Sequence, residues 1–128
     1  MGGAKMSCGG ILQAAAAKHS SGSSAAAERK YQRAISLGCG DVAFYNLGLL
    51  QHHQQRLAEA EVSYRLALLV SPGHRRALGN LGALQQQQHR YPEAIERLRL
   101  TISLAPTEYN TYLNLGHAFF SRTSTTVR

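Results

Sequence analysis

The sequence predicts an all-α protein, an array of about three and a half stacked helical hairpins, and three observations point to it. One pattern occurs twice between Asp41 and Pro106, offset by 34 residues. Phe44, Asn46, Leu47, Gly48, Leu50, Glu59, Ala60, Tyr64, Ala67 and Pro72 return as Leu78, Asn80, Leu81, Gly82, Leu84, Glu93, Ala94, Leu98, Thr101 and Pro106. A third copy opens with Tyr112, Asn114, Leu115 and Gly116. Within the two full copies the apolar residues follow helical spacing, and a proline, Pro72 or Pro106, closes each. Self-similarity at such a period marks a repeat array, because one helical pair cannot bury its apolar face alone and roughly three are needed for stability.

Taken in order, residues 1–7 read as a disordered start and 8–40 as a degenerate first repeat. Ala27, Glu28, Tyr31 and Ala34 match Ala60, Glu61, Tyr64 and Ala67, with one residue fewer in the following turn. Its leading helix would carry Ile11, Ala14 and Ala15, and Gly22 would lie in the turn to its second helix. The run Ala14 to Ala17 favours helix but offers little apolar area, so this end is expected to fray first. In the repeat at 41–74, Asp41 is a suitable N-cap for a helix to about Gln54. A turn at Gln55 and Arg56 then leads to a helix from Leu57 to Val70, stopped by Pro72 and Gly73. The repeat at 75–108 follows the same logic, with helices near His74 to Gln88 and Tyr91 to Leu104. Pro92 falls in a first turn, where its missing N–H costs nothing. The segment 109–121 is the leading helix of an incomplete unit, starting near Glu108, and 122–128 reads as a disordered, polar tail.

This spacing and residue order resemble the tetratricopeptide repeat family. The resemblance implies a right-handed solenoid, leading helices that line a concave wall, and a role in holding other proteins. Gly48, Gly82 and Gly116 then serve close approach of paired helices, a gain that offsets the roughly 1 kcal/mol a helical glycine costs relative to alanine.

Asn46, Asn80 and Asn114 recur beside the core leucine in three successive leading helices, about 100° around the helix from it, although asparagine is a mediocre helix residue. A side-chain amide both donates and accepts, so a ladder of amides suits gripping an extended backbone. The ladder resembles that of the O-GlcNAc transferase superhelix. A blander reading, local bonding to a turn or to water, competes with it. Tyr45, Leu49, Arg76 and His117 are the expected neighbours on that wall. The carboxylate clamp of some family members wants a lysine followed four places later by asparagine. Here those positions hold Tyr45 and Leu49, then Gly79 and Ala83, then Leu113 and His117, which argues against a chaperone-adaptor role.

With 14 Lys and Arg against 7 Asp and Glu, the net charge of +7 favours acidic partners. Scattered basic residues with few interleaved aromatics argue against nucleic acid. No apolar run suggests a membrane span, and neither a myristoylation signal nor a cleaved signal peptide fits the first residues, so a cytoplasmic location is expected, with organelle targeting left open. No histidine pair has the three- or four-residue spacing of metal ligands, and no phosphate loop or nucleophile motif occurs, so the expectation is no metal, no cofactor and no enzymatic activity. Cys8 and Cys39 would lie at one end of the first hairpin, close enough for an incidental disulfide on oxidation. The resulting expectation is a non-catalytic scaffold for an extended peptide. The alternatives are a fragment or isoform of a larger repeat protein such as a glycosyltransferase, or a weak nucleic-acid binder. Phe119 and Phe120, on the uncapped last helix, are candidates for self-association as a homodimer.

Overall fold

The computed structural model describes residues 7–107 and 109–126, and among them are seven helices and no strand. They fall into two compact units, one through Val70 and one from Ser71. The expected starting segment 1–7 and the last two residues lie outside the described residues apart from Ser7, as does Glu108.

The first unit holds α1 (Cys8–Ser20), α2 (Ser24–Ser36), α3 (Asp41–His53) and α4 (Leu57–Val70). Ser7 caps α1, its hydroxyl accepting from the Gly10 N–H at 3.1 Å. The chain reverses between α1 and α2 at Gly22, whose φ of 86° suits glycine, and between α3 and α4 at Gln55, with φ 61°. The α3 N-cap is Gly40 rather than Asp41, which becomes the first helical residue. The carboxylate still sits in the first turn, where the helix dipole favours it. Ala15, Ala27, Tyr31, Leu47 and Leu50 form one buried cluster, while Ile11, Ala34 and Ala43 form another. Because α1 contributes only Ile11 and Ala15 to the fully buried set, its noncovalent hold is slight. A disulfide between Cys8, the first residue of α1, and Cys39, in the link before α3, adds a covalent one.

The second unit holds α5 (Arg75–Gln87), α6 (Tyr91–Leu104) and α7 (Tyr109–Thr126). His74 caps α5, its Nδ1 accepting from the Ala77 N–H at 3.1 Å. His89, with φ 63°, makes the reversal into α6. Tyr91, Ala94, Ile95 and Leu98 of α6 are buried with Ala118 of α7, and Leu115 and Phe119 pack against them. The last helix runs to Thr126, past the end near Ser121 that the sequence suggested. No glycine or proline stands in 122–126 to stop it, and extending a formed helix needs little help.

Candidate functional site

Helix α3 is covered on two sides, and the residues between those sides form a stripe open to a ligand. On α3 one covered side is Leu47 and Leu50, packed on α1 and α2 residues. The other faces α4. Gly48 lies so close to Tyr64 that a Cβ would stand 2.8 Å from its ring, Ser63 Oγ donates to Gln51 Oε1 at 2.6 Å, and His52 Nδ1 is 3.1 Å from the Tyr64 hydroxyl. Between these sides run Val42, Asn46, Leu49 and His53, spaced by four, three and four residues and all partly or well exposed. The same register on α5 is Arg76, Asn80, Ala83 and Gln87, and on α7 Asn110, Asn114, His117 and Ser121. Asn46, Asn80 and Asn114 are half-buried in each case, with their backbone inside a helix and their amides on the stripe. Leu49, Arg76 and His117 fall on the stripes as well.

Tyr45 does not. It is 9% exposed, with its ring 6.1 Å from that of Tyr64, so it belongs to the hairpin interior rather than to an open wall. Helical spacing from Asn46 could not show this, because the leading helix is covered on its flank as well as its base. The two candidate self-association residues also separate: Phe119 packs into the α6–α7 core beneath the Arg99 and Arg122 guanidinium groups, each 5.2 Å from its ring centre, while Phe120 is 72% exposed.

Sequence reasoning missed Arg56. Its guanidinium spans α2 and α4, donating to both Glu28 oxygens at 2.8 and 3.1 Å and to Glu59 at 3.0 and 2.5 Å. These bonds hold its pKa above the ordinary arginine value, the Glu59 bond contributing most, and they hold the Glu59 carboxyl below its ordinary value. The signal was present: Arg90 and Glu93 repeat Arg56 and Glu59 at the 34-residue spacing, and Arg90 donates to Glu93 at 3.2 and 2.6 Å.

Among the described residues no cluster of three or more His, Cys, Asp or Glu is placed to hold a metal ion, and no helix is long and apolar enough to cross a membrane. The stripes offer amides, one guanidinium, imidazoles and small apolar surfaces, groups that can donate and accept hydrogen bonds beside apolar contacts.

The chain belongs to the tetratricopeptide repeat family, whose model matches residues 41–107. Among solved structures it is similar to the Sgt2 TPR domain from Aspergillus fumigatus, with a TM-score of 0.87 and 15% identity over 94% of this chain and 82% of that one. It is similar also to the first TPR of Spaghetti (RPAP3) bound to the HSP90 peptide SRMEEVD, with a TM-score of 0.84 and 16% identity over 88% and 90%. The second TPR domain of human RPAP3, in complex with the HSP70 peptide SGPTIEEVD, has a TM-score of 0.78 and 18% identity over 84% and 91%. At these identities the likeness is one of fold. No curated protein matches the sequence.

Proposed function

We propose that this chain is a non-catalytic protein-interaction module that holds extended segments of a partner protein against its leading helices, through the amide of Asn46 in the first unit and those of Asn80 and Asn114 in the second. The observation that carries the reading is the return of a half-buried asparagine at one register on α3, α5 and α7, each beside a leucine, Leu47, Leu81 or Leu115, that is wholly or partly buried. Packing of that leucine fixes the backbone, and a side-chain amide can both donate to and accept from a main chain, as gripping one requires. Two structurally similar domains hold acidic peptides, and the net charge of +7 here favours acidic segments too. The lysine-and-asparagine clamp for a terminal carboxylate is missing from the corresponding positions, so recognition rests on the backbone and on Arg76 rather than on a chain end.

The test is a panel of unstructured acidic, neutral and basic peptides, with the best binder titrated calorimetrically. An acidic segment should bind best. Replacing all three asparagines by alanine should remove roughly 1 kcal/mol per amide, about a hundredfold in affinity, with helicity unchanged. Undiminished binding by that triple variant would refute the reading.

A further inference from the structure

We infer that α7 carries a second binding surface, one that receives an amphipathic helix from a partner protein in the manner in which α3 receives α4 and α5 receives α6. Tyr112, Leu113, Gly116, His117 and Phe120 line a groove of about 360 Å³ on α7. Counting back by the repeat, Leu113, Gly116 and Phe120 stand where α3 has Tyr45, Gly48 and His52, three residues that touch Tyr64 of the second helix. On α5 the equivalent glycine, Gly82, is closed over by Leu98, which a Cβ would meet at 2.8 Å, whereas a Cβ on Gly116 would meet nothing within 4 Å. The groove is thus the seat of a second helix.

Through Thr126 the chain does not fold back to fill it. The three hairpins reverse at Gly22, Gln55 and His89, all with positive φ. The next residue in that series is Thr123, and a β-branched residue is a poor occupant of positive φ. The backbone there stays helical through to Thr126. The occupant's chemistry follows from the two helices that fill equivalent seats: a large residue over the glycine, Tyr64 or Leu98, with Ala60 and Ala67, or Ala94 and Thr101, four before it and three after, all fully buried. The residues of α7 include no acidic side chain, and His117 and Arg122 are exposed, so acidic residues on the rim of the incoming helix, such as α4 and α6 carry, are favoured. The α7 of a second copy fits less well: its Phe120, with Gly116 four before and Thr123 three after, has the spacing, but it would bring a second His117 and Arg122 and no acidic side chain to the rim.

The probe is a synthetic peptide copying residues 90–105, labelled for fluorescence anisotropy and added to the intact chain. Saturable binding is expected, weak because a single helix face buries less than a stable interface needs. Gly116→Leu fills the open seat without meeting a neighbour, so the variant should fold normally and bind at least about tenfold more weakly. A peptide carrying Leu98→Lys should bind no better than that. No saturation by about 1 mM peptide would overturn the proposal. So would equal binding by the Gly116→Leu variant, which would place the peptide elsewhere, for example in exchange with α6. Self-association abolished by Gly116→Leu, with no peptide binding, would make the occupant a second copy and overturn it equally.

Discussion

The Ser63 hydroxyl donates to the Gln51 amide oxygen at 2.6 Å inside the α3–α4 hairpin, and the repeat of that glutamine 34 residues on has lost its partner. Gln85 is 0% exposed with neither amide atom hydrogen-bonded among the described residues, because the position matching Ser63 holds Arg97, whose stem packs beside Gly82. A buried amide without partners costs about 1 to 3 kcal/mol. Gln85→Leu, similar in volume, should therefore raise stability by about 1 to 2 kcal/mol. Gln51→Leu should lower it by about 1 kcal/mol by stranding the Ser63 hydroxyl. Thermal melts of the two variants, expected to shift in opposite directions, check this.

The three repeat glycines should respond to alanine with different signs. At Gly48 and Gly82 the new methyl would press on Tyr64 and on Leu98, each 2.8 Å away, and overpacking of about 1 to 3 kcal/mol outweighs the helical gain of about 1 kcal/mol. At Gly116 only the gain remains, so Gly116→Ala should stabilise by up to about 1 kcal/mol. Urea midpoints of the three variants decide it.

Cutting the Cys8–Cys39 link should act on α1 before the rest of the first unit. The bridge spans 31 residues, and its loss corresponds to roughly 3 to 4 kcal/mol by the chain-entropy relation. Alanine-rich α1, with Ile11 and Ala15 as its only fully buried side chains, has little to replace it. Reduction or Cys8→Ser should speed amide exchange across residues 8–20 while leaving the second unit's exchange unchanged.

Acid should weaken the first unit through Glu59. Its carboxyl is held below the ordinary 4.5 chiefly by the Arg56 hydrogen bond, so the stabilisation is full above that value and is lost as pH falls through the lower, folded value. Glu59→Gln should flatten the decline in melting temperature below pH 4.5, and a variant that declines as steeply as the parent would assign the effect to other carboxylates.

Boundaries were legible wherever the chain punctuates itself. The ranges Leu57–Val70 and Tyr91–Leu104 match expectation because Pro72 with Gly73, Pro92 and Pro106 mark helix ends through backbone chemistry, which acts locally. The end of α7 was not legible, since a run of serine and threonine weakens a helix without forbidding it.

By itself the sequence determined the repeat, the hairpin architecture and the register of the asparagines, because periodicity and proline or glycine stops act through neighbours in the chain. Only the tertiary structure decided which flank of each leading helix is covered. It turned Tyr45 inward onto Tyr64, separated half-buried Phe119 from exposed Phe120, left Gly116 open where Gly48 and Gly82 are closed, and gathered Glu28, Arg56 and Glu59 into one ion pair network. Those outcomes depend on contacts between residues far apart in sequence, and a helical period places a side chain on its own helix without saying what lies against it.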